Sequence, residues 1–117
     1  MPDLTRAAMR TRHDDKAEKA RKVKADRVTA YRLVDIRDGY KCRCCFRFVS
    51  AANADPARRS EHHHINGRVG KHAESTENIC LLCRACHDLR HVKRTLVIVG
   101  NANQPLTFEL GGKVWHG

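Results

Sequence analysis

The apolar positions change rhythm along the chain, and each rhythm implies an element. Ala17, Ala20 and Val23, then Val28, Tyr31 and Val34, recur at intervals of three to five residues. That spacing predicts one or two helices over about 15–37. Asp14 or Asp15 is a candidate cap at the start, and Asp38-Gly39 a stop at the end. "CFRFV" alternates apolar and polar residues and predicts a short strand. "AANADPARR" reads as a loop with a helical turn opening at Pro56. "EHHHI" predicts a second strand, and "NGRVGKHAESTE" a polar loop with two glycines. "NICLLC" is apolar and "RACHDLRHVK" has helical character. "TLVIV" and "LTFEL", joined by "GNANQP", predict a terminal β-hairpin. Residues 1 to 13 carry no period and read as a mobile basic tail. No repeat or low-complexity tract is present. The class expected from this order is α+β in one small domain.

Composition sharpens the picture. The chain has 117 residues and 5% aromatics, so its core is small and is expected to lean on a metal or cross-links. A formal charge of +10 favours a polyanionic partner, nucleic acid ahead of an acidic membrane surface. No apolar stretch approaches the roughly 18 residues that span a bilayer. The start, "MPDLTRAAMRTRHDDK", has no apolar run of the signal-peptide kind. A cytoplasmic location is therefore expected, where thiols stay reduced. The six cysteines then read as metal ligands rather than disulfides.

Two C-x-x-C pairs stand about 40 residues apart: Cys42 with Cys45, and Cys83 with Cys86. A two-residue gap lets both thiolates of a pair face one ion. Two such pairs close a tetrahedral zinc site of the structural kind. Cys44 is an alternative to Cys42 or Cys45. Cys80 forms a second C-x-x-C with Cys83, but reads better as a buried apolar side chain. Four thiolates and Zn²⁺ lower the charge to about +8, which leaves the partner argument intact.

A closed zinc site performs no chemistry, so the histidines form a separate question. His62, His63 and His64 are consecutive; His87 and His91 lie four residues apart and share a face if 84–93 is helical. On an extended strand, neighbours point to opposite sides. His63 and His64 can then diverge, while His62 and His64 point together and form a rival metal pair.

Here the segment from Arg37 to Arg94 resembles the HNH endonucleases, through "RDGYKCRCC", "HHINGR" and "STENICLLCRACH". Asn78 follows His64 by fourteen residues, and His87 follows Asn78 by nine, spacings close to that family's pattern. The resemblance implies a ββα-metal fold over 37–94, flanked by a basic tail and helical extension over 1–36 and by the hairpin and tail over 95–117. It implies His64 as general base and His63 and His87 as ligands of a catalytic divalent metal (Mg²⁺, Mn²⁺, Ni²⁺ or Zn²⁺). Asn78 would tie down the histidine loop. His91 resembles the second helical histidine of colicin-type nucleases, which many zinc-clip members lack. The implied reaction is hydrolysis of DNA phosphodiesters to 5′-phosphate and 3′-hydroxyl ends. The small size resembles phage-encoded members, some of which assist DNA packaging.

The chemistry makes independent sense. A cation can stabilise charge on the phosphoryl and leaving oxygens, and a neutral imidazole can take the proton from water. Arg68 is a candidate fork for a phosphate. Phosphate contacts are expected from Lys16, Lys19, Arg21, Lys22, Lys24, Arg58, Arg59, Arg68, Lys71, Arg90, Lys93 and Arg94. His62, His13 and His72 read as surface or supporting residues. No recognition helix is visible, and nothing suggests base stacking on single strands. The alternative is a non-catalytic zinc module that binds DNA or protein, which leaves the histidine–asparagine spacing unexplained.

Overall fold

The computed structural model describes residues 12–117. It opens with one helix, α1 (Arg12–Arg37), rather than two. Asp14 and Asp15 lie inside its first turn instead of capping it, where negative charge favours the exposed N–H groups. Of the tail expected over 1–13, residues 1–11 fall outside the described residues, as does the side chain of His13, and α1 already includes 12 and 13. Among the described residues, α1 is buried in its C-terminal part: Ala30 and Val34 are buried, whereas residues 14–26 are exposed apart from half-buried Ala17. The helix stops at Gly39, whose φ of 62° suits the left-handed turn there.

The strand expected over "CFRFV" does not form. Cys42 and Cys45 must bring their sulfurs together, so the chain turns sharply; the amide of Cys45 points at the Cys42 sulfur at 3.5 Å, and Phe46 takes φ 64°. Only an isolated bridge between Lys41 and Phe48 remains of the alternation. A 3₁₀ turn over Pro56–Arg58 is capped by Asp55, as the proline suggested.

The centre is an antiparallel pair, β1 (Ser60–His64) and β2 (Ile79–Cys83), with Ser60 opposite Cys83 and His64 opposite Ile79. Every residue of β2 is buried, hence its unbroken apolar run. Helix α2 (Arg84–His91) follows at once, its first turn capped by the Cys83 sulfur, which accepts from the amide of Cys86. Side chains of β1 meet α1 on one face and α2 on the other.

The C-terminal region is a three-stranded meander rather than a hairpin: β3 (Val97–Val99), β4 (Thr107–Leu110) and β5 (Lys113–His116). Gly111 and Gly112, both at positive φ, form the two-residue turn that such hairpins require. Phe108, Leu106, Leu96 and Ile98 share one hydrophobic cluster with Val34, Val49, Ile79, Leu81 and Cys42. The α+β class holds, with one continuous core beneath the three sequence segments.

A buried carboxylate fastens these parts. Asp38, with a 1% exposed side chain, accepts from Arg37 at 2.8 and 3.0 Å, from Arg43 at 2.9 Å and from the amide of Leu81 at 2.9 Å. Arg37 also donates to the carbonyls of Thr76 (2.6 Å) and Ile79 (2.7 Å), and Arg43 to those of Ala102 (2.7 Å) and Gln104 (2.8 Å). Asp38→Ala leaves two guanidinium groups facing each other with no counter-charge. Breaking such a buried network is expected to cost about 3–5 kcal/mol, measurable by urea unfolding.

Candidate functional site

Each C-x-x-C turn aims an amide at its first sulfur: Cys45 N–H at Cys42 and Cys86 N–H at Cys83, both at 3.5 Å. The first turn is held on β2 by the Arg43 amide donating to the Leu81 carbonyl at 2.8 Å. The second joins β2 to α2. The sulfurs of Cys42, Cys45, Cys83 and Cys86 all lie within 4.8 Å of one another and could hold a metal ion. Thiolates about 2.3 Å from one tetrahedral ion stand about 3.8 Å apart, and the Cys45 and Cys83 sulfurs are 3.8 Å apart. Arg58, one of the expected phosphate contacts, donates to the Cys83 sulfur at 3.4 Å. Hydrogen bonds from Cys42 and Cys86 hold the Cys83 thiol far below its ordinary range, while the same contact with Cys83 pushes Cys42 up to about 12. Metal ligation takes cysteines as thiolates, so a cation bound here would displace the remaining thiol protons.

Cys44 and Cys80 stand outside the converging four. Cys80 is fully buried, and burial pushes its thiol up to about 12. The Cys44 carbonyl accepts from the Trp115 indole at 3.0 Å.

The second cluster joins β1 to α2. His63, His87 and His91 offer ring nitrogens within 4.8 Å of one another. His63 Nδ1 and His91 Nε2 are 3.1 Å apart, close to the spacing of two imidazoles each about 2.0–2.1 Å from one cation. His63 is 2% exposed and its Nε2 has no hydrogen-bond partner. A buried polar atom of that kind is costly unless something polar binds the ring. Burial first, then the neighbouring His91 and His87, holds the His63 pKa down to about 3, and the same burial lowers His87. Both rings are therefore neutral near neutral pH and could offer a lone pair to a cation.

His64 faces the other way, as strand alternation requires, and lies against α1. Its Nε2 is 3.0 Å from Glu74 Oε2. Glu74 Oε1 accepts from Arg27 Nε at 3.1 Å and Nη2 at 3.0 Å. Burial alone would raise the Glu74 pKa, but hydrogen bonds from Arg27 and His64 outweigh it and hold the carboxyl below its usual range. His62 shares that face. It stacks on Tyr31 at 4.0 Å and 6°, and its Nε2 is 2.7 Å from Asp35 Oδ1. The rival pairing of His62 and His64 on a metal thus gives way to a face occupied by Tyr31, Asp35 and Glu74. Arg27, Tyr31 and Asp35 stand four residues apart, one stripe of α1. That stripe and Glu74 are contacts the sequence reading missed.

Asn78 is buried. Its Oδ1 accepts from the Asn66 amide at 2.9 Å, and its Nδ2 donates to the carbonyls of Gly67 (3.1 Å) and Ala73 (2.9 Å). It cross-ties both ends of the 66–73 loop behind β1. Arg68, Lys71 and His72 are exposed on that loop. Lys16, Lys19, Arg21, Lys22 and Lys24 are exposed on the projecting half of α1, and Lys93 and Arg94 beyond α2, while Arg90 is half-buried and Arg59 donates to the Asn53 carbonyl.

No family model, curated protein or solved structure matches the chain. The site therefore stands on its own geometry. Among the described residues, no helix is long and apolar enough to cross a membrane.

Proposed function

We propose that the chain is a metal-dependent endonuclease of the HNH type that hydrolyses DNA phosphodiester bonds. The observation that carries the reading is the divergence at one strand position. His63 turns toward His87 and His91 on α2, while adjacent His64 turns away and is held by Glu74. A ligand set and a candidate base thereby come from adjacent strand residues on opposite faces of β1, the two roles that hydrolysis of a phosphodiester needs. The contiguous β1, β2 and α2, with the cysteine cluster at the β2–α2 junction, support a ββα-metal core.

The residues take these roles. Cys42, Cys45, Cys83 and Cys86 hold a structural Zn²⁺. His63, His87 and His91 hold a second divalent cation, which when bound supplies Lewis acidity to the phosphoryl and leaving oxygens. His64 accepts the proton of the attacking water. Asn78 fixes the loop that follows His64. Arg68 on that loop, together with Lys16, Lys19, Arg21, Lys22, Lys24, Lys71, Arg90, Lys93 and Arg94, supplies sequence-independent phosphate contacts. A phage origin, with DNA-packaging proteins as partners and the host cytoplasm as location, fits the small basic chain.

Incubating supercoiled plasmid with the protein and Mg²⁺, Mn²⁺ or Ni²⁺, with and without chelator, tests the reading. Nicked or linear product that disappears with chelator is expected. Intact plasmid under every metal overturns it and leaves a zinc-stabilised binding module.

A further inference from the structure

We propose that Glu74 is a positioning residue that fixes the tautomer and orientation of His64, and that Arg27 fixes which Glu74 oxygen faces it. The proposal rests on the reading of His64 as the group that takes a proton from water. Three contacts carry it. Arg27 engages Glu74 Oε1 twice, through Nε and Nη2. Glu74 Oε2 is left for His64 Nε2, at 3.0 Å. Tyr31 meets the His64 ring edge-on, with centroids 6.0 Å apart at 65°, and so confines it from α1.

The consequence follows from hydrogen-bond valence. An ionised carboxylate only accepts, so the tautomer of His64 that this contact selects carries its proton on Nε2. Its lone pair then sits on Nδ1, and Nδ1 is the atom free to receive a proton. Both partners are shielded, with side chains 4% and 11% exposed, so water competes weakly for the contact. Arg27 belongs to the same helical stripe as Tyr31 and Asp35, which places the base under the control of α1.

Glu74→Gln separates this role from a merely structural tie. Arg27 keeps the single carbonyl oxygen, so the amide NH₂ must face His64. The NH₂ group donates, Nε2 must accept, and the proton moves to Nδ1, where it blocks the lone pair. The variant changes almost no volume. The expected result is a fall in kcat of about 10²-fold or more, with KM within about threefold of wild type. Ring ¹⁵N shifts of His64 in the zinc-loaded protein should move from an Nε2–H to an Nδ1–H pattern, with zinc content and melting midpoint unchanged. Adding Arg27→Met frees the amide to flip, and should restore the Nε2–H pattern and at least about tenfold of the lost rate. Wild-type kcat with an Nε2–H ring in Glu74→Gln overturns the proposal, and so does a double variant with no recovery of the Nε2–H pattern. If the tautomer swaps as expected but the wild-type protein cuts no DNA, the positioning contact stands and the nuclease reading fails.

Discussion

Cys83→Ser is expected to leave the cysteine cluster unable to hold a metal ion and to unfold the protein, whereas Cys80→Ala is expected to keep metal binding and a cooperative melt. Cys83 has three tasks at one point. It ends β2, its sulfur caps the first turn of α2, and the same sulfur lies 3.8 Å from that of Cys45. Zinc binding by small cysteine sites is worth on the order of 10 kcal/mol of folding free energy. That matches the entire stability of a typical domain, about 5–15 kcal/mol. A serine hydroxyl, hard and protonated at neutral pH, does not replace a thiolate on Zn²⁺. Cys80 is a buried, protonated thiol outside the cluster, so its loss costs about 1 kcal/mol, the ordinary size for a point change. Metal content by mass spectrometry and thermal circular dichroism distinguish the two variants. A folded, zinc-loaded Cys83→Ser protein would rule out Cys83 as a ligand.

Legibility from the sequence followed the range of the interactions. The cysteine spacing announces the four-sulfur cluster because a two-residue turn confines both sulfurs regardless of the rest of the fold. The helix over Arg12–Arg37 shows in local periodicity for the same reason, and the strand over Ser60–His64 and the helix over Arg84–His91 in local composition. "CFRFV" misled because its alternation lost to the demand that Cys42 and Cys45 converge. The third C-terminal strand, Lys113–His116, had a signal in the paired glycines before it, yet four residues against a chain end read as tail. The layer behind His64 was out of reach. Tyr31 shows only as an apolar helix position, Arg27 and Asp35 carry no signal of their own, and the partner of Arg27 is 47 residues away. An Arg–Glu contact at that separation leaves no periodic trace.

The arrangement of the two histidine faces makes the second large effect specific. His64→Ala should abolish plasmid nicking, by about 10²–10⁴-fold if the imidazole is the general base, with the fold and the cysteine-bound metal intact. Removing this ring does not strand its partner, because Glu74 keeps both hydrogen bonds from Arg27. It also leaves His63, His87 and His91 converging on the other side of β1. The loss should therefore persist at saturating Mn²⁺. His63→Ala removes a proposed ligand instead, and should shift the Mn²⁺ concentration needed for half-maximal nicking upward before it lowers the limiting rate. Titrating both variants with Mn²⁺ on one plasmid substrate separates a missing base from a weakened ligand set. If His64→Ala cuts at the wild-type rate, the proton goes elsewhere and the Glu74 contact is a structural tie. If added Mn²⁺ restores His64→Ala, its defect lies in metal binding, and the division of labour between the two faces of β1 is wrong.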